Sequence, residues 1–154
     1  MSSGKKQNVV QQAQIATPLS KQACDICGFK LHNPIKELSV SDLVFYNDSR
    51  FRGRSILALR LHRDQWDNIE EELMLKFLQD SQKAVKAIRE ATGCARVNVA
   101  SLGNSVSHIH LHLIPRFPSE EAVPHGAPWR DPRPQTELPN TEAKELMHKI
   151  ASLL

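Results

Sequence analysis

The sequence predicts an α+β fold with a mainly antiparallel sheet, one long helix and a short C-terminal helix. Apolar residues recur at helical spacing between about 68 and 91, and short apolar runs typical of strands lie on both sides of that segment. Turn-forming residues separate these runs. Strands, one long helix, and then two strands joined by a tight turn are the pattern of an α+β domain.

The N-terminal residues 1–22 are expected to form a flexible arm. They are rich in glutamine and have no sustained apolar period, so at most a short helix is predicted there, at Val9–Ile15. The remaining residues, 23–154, are of a length that suits one domain with its own core. The sequence therefore predicts one folded domain behind a flexible arm.

The first two strands are predicted at Leu43–Tyr46 and Ser55–Leu59, with turn formers between them. In the helix that follows, four apolar residues keep the helical spacing: Leu73, Phe77, Ala84 and Ile88. Gly93 is placed to end this helix, since glycine readily adopts the left-handed conformation of a C-cap. A third strand is predicted at Val97–Ser101.

The C-terminal part is predicted to contain a proline-rich loop over residues 116–139 and a short helix over 140–153. The repeated prolines exclude regular structure in the loop. Asn140 and Thr141 are suited to begin the last helix.

The most informative segment is His108–Ile114, where histidine alternates with aliphatic residues. In a strand the aliphatic side chains would face the core, while His108, His110 and His112 would line the opposite face. Such a row of imidazoles can supply a nucleophile, phosphate donors or metal ligands. A plain solvated face of a half-buried sheet is the alternative, for which histidine is an unusual choice.

Composition limits the classes of protein that fit this chain. The net charge of +3 is only weak support for anionic partners. We find no long apolar run typical of a membrane span and no signal-peptide segment, so no membrane partner is expected. The number and spacing of the three cysteines are not typical of a disulfide framework, which favours a reducing, cytoplasmic location.

The stretch from Gly103 to Arg116, Gly-Asn-Ser-Val-Ser-His-Ile-His-Leu-His-Leu-Ile-Pro-Arg, resembles the signature of the histidine-triad (HIT) superfamily of nucleotide hydrolases and transferases. The likeness extends over roughly residues 24–130 and looks more like the diadenosine tetraphosphate hydrolase branch than like the purine-nucleoside phosphoramidase branch. Asn104 stands where the family usually has glutamine, and the preceding glycine-rich loop is shortened. The resemblance implies a HIT-like fold, a nucleotide substrate and a homodimer. A nucleic-acid partner is not expected.

The resemblance also implies roles for individual residues. His110 would attack the α-phosphorus of a nucleotide and form a covalent nucleotidyl-histidine, and His112 would donate to the phosphate oxygens. The substrate would be a dinucleoside polyphosphate, such as diadenosine tetraphosphate, or a nucleoside phosphoramidate. Four further residues are candidates for nucleotide binding: Asp48, Asn98, Asn104 and Ser105. Asn104 and Ser105 are equally compatible with an ordinary turn.

A structural zinc site is implied by the same resemblance. Cys24 and Cys27 form a Cys-x-x-Cys pair, and His62 and His108 stand where zinc-carrying relatives place the other two ligands. Two alternatives remain open from the sequence. One is a catalytically idle nucleotide-binding scaffold that keeps the zinc, and the other is a metalloenzyme that uses the three alternating histidines as ligands.

Overall fold

Five strands form one antiparallel sheet with three helices in a computed structural model that describes residues 3–154. The helices are α1 (Ser3–Ile15), α2 (Glu71–Thr92) and α3 (Asn140–Ser152). The strands are β1 (Pro34–Glu37), β2 (Ser41–Phe45), β3 (Ser55–Leu59), β4 (Arg96–Ala100) and β5 (His110–Arg116). Their order across the sheet is β1-β2-β3-β5-β4, and every neighbouring pair is antiparallel. The predicted fold class is confirmed.

The long helix α2 covers one face of the sheet. Its predicted apolar positions are all buried in the main core: Leu73, Phe77, Ala84 and Ile88. Gly93 ends the helix in the left-handed conformation, with φ of 68°, and its N–H donates to the Arg89 carbonyl. The helix begins later than expected because Trp66–Asn68 forms a short 3-10 turn of its own. Within residues 3–154, no helix is both long and apolar enough to cross a membrane.

The histidine strand β5 lies inside the sheet, between β3 and β4. Leu111 and Leu113 are buried in the core that α2 covers. Because side chains alternate along a strand, His110 and His112 face the opposite side of the sheet. The predicted alternation of histidine and aliphatic side chains therefore agrees with the structure over this part of the segment.

The start of β5 and the connection before it differ from the prediction. The strand begins at His110 rather than His108. The N–H of Ile109 donates to the carbonyl of Arg63, in a loop, and so makes no hydrogen bond to a neighbouring strand. The expected tight turn is a longer connection. Gly103 does turn the chain, with φ of 66°. An irregular segment follows it and places His108 beside the sheet, before the hydrogen bonds of β5 begin at His110.

The N-terminal segment is more ordered than the expected flexible arm. Helix α1 is longer than the predicted Val9–Ile15, and Val10 and Ala13 are buried in the main core. The buried side chain of Arg60 donates to the Ala13 carbonyl at 3.0 Å and forms an ion pair with Asp42 at 2.8 Å. Residues 1 and 2 of the expected arm lie outside the described residues. The division into an arm and one domain stays a prediction.

Replacing Arg60 with methionine is expected to lower the free energy of unfolding by about 3–5 kcal/mol, because Asp42 would be left as an unpaired buried charge. Urea unfolding measures this change. The matched control is Lys21→Met, which removes one partner of the exposed Lys21–Glu37 pair and is expected to cost less than about 1 kcal/mol. Equal effects of the two substitutions would contradict the role of Arg60 in stabilising the contact between α1 and the sheet.

The second face of the sheet is covered in part by the segment that follows α1. Leu19 and Leu31 from this segment pack with Val44 and Ala58 of the sheet in a small core of their own. The proline-rich loop contains only a short 3-10 turn at Pro128–Arg130, as its composition predicts. Strand β1 was not predicted, since it is a short and mostly exposed edge strand that begins at a proline.

Candidate functional site

His110 presents a nitrogen lone pair on the second face of the sheet. Its side chain is largely buried, and its Nδ1 lies 2.6 Å from the backbone carbonyl oxygen of His108. A carbonyl oxygen can only accept, so Nδ1 of the neutral ring carries the proton and Nε2 is left unprotonated. An unprotonated imidazole nitrogen is a nucleophile.

His112 is held in the opposite tautomer. Its Nδ1 lies 3.4 Å from Nη2 of Arg54. A guanidinium can only donate, so Nδ1 of His112 must accept, and the neutral ring carries its proton on Nε2. The rings of His110 and His112 are 5.2 Å apart between centroids. Neighbouring imidazoles therefore offer one nucleophilic nitrogen and one N–H donor.

Burial and the positive charge of Arg54 lower the pKa of His112 from 6.5 to about 4. We expect an NMR titration of this imidazole to have its midpoint near pH 4. Because the unfolded chain takes up this proton near pH 6.5, the free energy of unfolding is expected to decrease as the pH falls from about 6.5 to about 4. A titration midpoint above about 6, the ordinary range of histidine, would contradict this environment.

Cys24, Cys27, His62 and His108 form a compact cluster between the N-terminal loop and the start of β5. One ligand atom from each residue lies within 4.8 Å of all the others. Nδ1 of His62 lies 3.6 Å from the Cys24 sulfur, and Nδ1 of His108 lies 3.4 Å from the Cys27 sulfur. The two Nδ1 atoms are 3.3 Å apart.

These donors fit a tetrahedral zinc ion. Zn–N bonds of about 2.0–2.1 Å and Zn–S bonds of about 2.3 Å place two nitrogens about 3.3 Å apart, and a nitrogen and a sulfur about 3.5 Å apart, in a tetrahedron. The cluster has these spacings. Nε2 of His108 donates to the Leu59 carbonyl at 2.7 Å, which leaves its Nδ1 unprotonated for a metal. Burial also lowers the pKa of His108, so the ring stays neutral as a ligand must.

The structure thus divides the three alternating histidines between two sites. His108 turns its free nitrogen to the cysteines, whereas His110 and His112 face the open side of the sheet. The ring of Phe29 packs against both His108 and His110, at centroid distances of 5.1 and 5.2 Å. A single aromatic side chain therefore contacts one histidine of the candidate metal cluster and the candidate nucleophile.

Asp48 lies near these residues, but its carboxylate is enclosed. It is buried and accepts 2.9 Å hydrogen bonds from Nε and Nη2 of Arg50 and from Nη1 of Arg54. Burial opposes ionisation, but the hydrogen bonds from the two arginines outweigh it and lower the pKa of Asp48. Both carboxylate oxygens hold arginines in this structure. The ribose contact expected of Asp48 stays a prediction.

The other nucleotide-binding candidates lie at the far edge of the same region. The side-chain oxygen of Asn98, in β4, accepts a 2.6 Å hydrogen bond from Nη1 of Arg116. Asn104 and Ser105 are exposed in the connection between β4 and β5. Their contacts with a nucleotide also stay predictions.

A cavity of about 330 Å³ is lined in part by Phe29 and Tyr46, whose rings lie near those of His110 and His112. Its apolar wall is formed by Phe29, Leu31, Val44, Tyr46 and Ile56. The Tyr46 ring lies 6.3 Å from that of His112. Phe29 was not predicted from the sequence, because a lone aromatic residue in a loop carries no periodic signal. The contact of Arg54 with His112 was not predicted either.

A family model for the HIT domain matches residues 43–119, which is half of the chain. Among curated proteins, an uncharacterized HIT-like protein of Methanocaldococcus jannaschii is 22% identical over 107 residues. The match spans 66% of this chain and 74% of that protein. The residues matched by the family model include the whole histidine strand β5.

Solved structures share the fold at low identity. A histidine-triad protein from Sinorhizobium meliloti has a TM-score of 0.71 at 22% identity, over 79% of this chain and 89% of that one. A zinc-bound histidine-triad family protein from Mycobacterium smegmatis has a TM-score of 0.56 at 19% identity, over 99% and 96% of the two chains. The Plasmodium falciparum diadenosine triphosphate hydrolase has a TM-score of 0.57 at 11% identity, over 96% and 93%.

The family model, the fold and the strand with two outward-facing histidines agree with one another. HIT family proteins bind nucleotides, and some members are hydrolases. This chain belongs to the HIT domain family.

Proposed function

We propose that this protein is a nucleotide hydrolase or transferase that cleaves at an α-phosphorus through a covalent intermediate on His110. The opposite tautomers of His110 and His112 carry this proposal. A nucleophilic nitrogen beside an N–H donor matches what phosphoryl transfer requires, which is an attacking atom and charge stabilisation on the phosphate oxygens.

In the first step, Nε2 of His110 forms a bond to the α-phosphorus while the bond from phosphorus to the leaving group breaks, and the leaving group departs with the electron pair. Nε2–H of His112 donates to a non-bridging oxygen. In the second step, the oxygen of a water molecule bonds to phosphorus and the P–N electrons return to Nε2. A nucleoside monophosphate is released, and the proton of the water passes to solvent.

We propose that the nucleoside binds in the cavity lined by Phe29 and Tyr46. Phe29 and Tyr46 offer aromatic surfaces to a base, and both rings lie against triad histidines. We propose that the substrate is a dinucleoside polyphosphate, such as diadenosine tetraphosphate, or a nucleoside phosphoramidate. Similarity of fold to a diadenosine triphosphate hydrolase supports a phosphoanhydride substrate.

A panel of nucleotides incubated with the purified protein tests this function. Diadenosine tetraphosphate, diadenosine triphosphate and adenosine phosphoramidate are compared by release of adenosine monophosphate. Release from at least one of them is expected. Binding of nucleotides without release from any would contradict the hydrolase proposal and leave a catalytically idle binding protein.

We also propose that Cys24, Cys27, His62 and His108 hold a structural zinc ion. With four protein ligands the site is closed, so the ion supplies stability rather than a catalytic water. His108 connects the two sites, because its ring would bind the ion while its backbone carbonyl orients His110. Reduced thiols suit this ligand set, which supports a reducing, cytoplasmic location.

We propose further that the chain forms a homodimer through the β4 edge of the sheet. Strand β4 ends the sheet, and large apolar side chains are exposed on it and on nearby elements: Trp66, Leu75, Leu78, Val99 and Leu102. Exposed apolar surface beside an unpaired strand edge favours association with a second copy.

Replacing Val99 with lysine is expected to convert the dimer into a monomer, because a charge would be buried at the interface. Light scattering after size-exclusion chromatography should then give the 17.4 kDa of one chain instead of twice that mass. The control is Ile15→Lys, at an exposed isoleucine on α1, which should leave the mass unchanged. A monomeric wild-type protein would contradict the proposed dimer.

A further inference from the structure

Arg54, the residue just before β3, is fixed by contacts on three sides. Nη1 pairs with the buried Asp48 at 2.9 Å, and the guanidinium lies 4.1 Å above the centre of the Tyr46 ring. Nη2 lies 3.4 Å from Nδ1 of His112. Only 15% of the Arg54 side chain is exposed. An arginine held by these contacts has little freedom to change its side-chain conformation and bind a ligand.

The partner carboxylate is itself strongly held. Asp48 has no exposed side-chain surface and accepts hydrogen bonds from Arg50 through both oxygens. These bonds keep it ionised, so Arg54 always faces a full negative charge on one side. On its other side the guanidinium faces the imidazole of His112. Asp48, Arg54 and His112 are thus connected in sequence by side-chain contacts, from a buried carboxylate to the proposed catalytic histidine.

We propose that Arg54 is a positioning residue that holds His112 as an Nε2–H donor for the phosphate. This inference rests on the proposed function, since it assigns a task within that reaction. If the proton moved to Nδ1, two N–H groups would face each other and Nε2 would lose its hydrogen. Arg54 therefore makes the unproductive tautomer unfavourable before substrate arrives.

A different role for Arg54 would be to bind the phosphate directly. The structure favours action through His112, because Nε of Arg54 is buried away from solvent, Nη1 is engaged by Asp48 and Nη2 lies 3.4 Å from Nδ1 of His112. With 15% of the side chain exposed, little guanidinium surface is open to a ligand. The two roles predict different kinetics, since direct binding contributes to the Michaelis complex whereas a positioning role acts on the chemical step.

The test compares Arg54→Met and Arg54→Lys with a matched control, Arg52→Met. Arg52 lies in the same hairpin, but it pairs with the exposed Glu120 and stacks on Phe117. Loss of Arg54 is expected to lower kcat by about 10–100-fold, by analogy with partners that orient metal-bound histidines, with little change in KM. Lysine should recover part of the loss, because an ammonium also can only donate. Arg52→Met should leave both constants unchanged.

Two further measurements separate positioning from a general structural role. Nitrogen-15 NMR of the free protein should show His112 as a single Nε2–H tautomer, which becomes a mixture in Arg54→Met but not in Arg52→Met. In a His112→Ala background, adding Arg54→Met should cause no further loss of kcat, because its target is gone.

An additive loss in the double variant, a rise in KM at unchanged kcat, or an unchanged tautomer in Arg54→Met would overturn the proposal. If Arg54→Met fails to fold, Arg54→Gln carries the same comparison, because an amide can also accept a hydrogen bond and would no longer fix the tautomer of His112. The NMR measurement needs no substrate. If no nucleotide is turned over, the proposed function fails, and the tautomer still decides whether Arg54 orients His112.

Discussion

Replacing His110 with alanine is expected to lower nucleotide hydrolysis by about a thousandfold or more, because the atom that bonds to phosphorus is removed. The structure gives His110 a position that its neighbours cannot take over. Its Nε2 is unprotonated because Nδ1 donates to the His108 carbonyl, whereas His112 is held in the other tautomer. Nucleoside monophosphate release measures the loss.

The control for this substitution is His148→Ala, at an exposed histidine on α3, which should keep full activity. Zinc content should be unchanged in His110→Ala, since Nδ1 of His110 bonds to backbone and not to the metal cluster. Loss of zinc together with activity would contradict this account and favour a metal held by the three alternating histidines. Retention of full activity would contradict the role of His110 as nucleophile.

Replacing Cys24 with serine is expected to remove bound zinc and to destabilise the protein by about 4 kcal/mol, the stabilisation that a ligand gives at a thousand times its dissociation constant. The ion would connect the N-terminal loop, through Cys24 and Cys27, to His62 and His108 on the other side. Without it these segments lose their common attachment. Metal analysis and urea unfolding measure the two effects.

The matched control is Cys94→Ser. Cys94 is buried near the end of α2 and lies outside the cluster, so this variant should keep its zinc. Activity should fall in Cys24→Ser as well, since the carbonyl that orients His110 belongs to the ligand His108. A wild-type protein purified without zinc and unable to take it up would contradict the metal proposal. Unchanged zinc in Cys24→Ser would contradict this ligand set.

Periodic patterns predicted the elements that carry the site. The helical spacing of Leu73 and Phe77 predicted the buried face of α2, and the alternation of residues 108–114 predicted a strand with histidines on one side. The buried face of α2 and the positions of His110 and His112 agree with these predictions, because burial repeats with the period of each element. His108 differs, since it lies before the strand and turns its free nitrogen to the cysteines. The four metal-ligand candidates also meet in one cluster, although they were assembled from a family resemblance and not from periodicity.

Features that depend on single tertiary contacts could not be predicted in this way. Helix α1 has no clear apolar stripe, and its C-terminal end is held by Arg60, which lies far away in the sequence. Phe29 is a lone aromatic residue in a loop. Arg54 is distinguished from Arg50 and Arg52 by its contact with His112. Such contacts arise from the folded chain and leave no repeating signal in the sequence.

Trapping the covalent intermediate is the most direct test of the central role assigned to His110. The protein is mixed with radiolabelled diadenosine tetraphosphate, quenched in base within the first turnover, and digested for mass spectrometry. We expect a nucleotidyl group on the peptide that contains His110, formed at least as fast as product appears and missing from His110→Ala. Rapid hydrolysis by the wild-type protein with no phosphorus–nitrogen adduct at any time would contradict this mechanism.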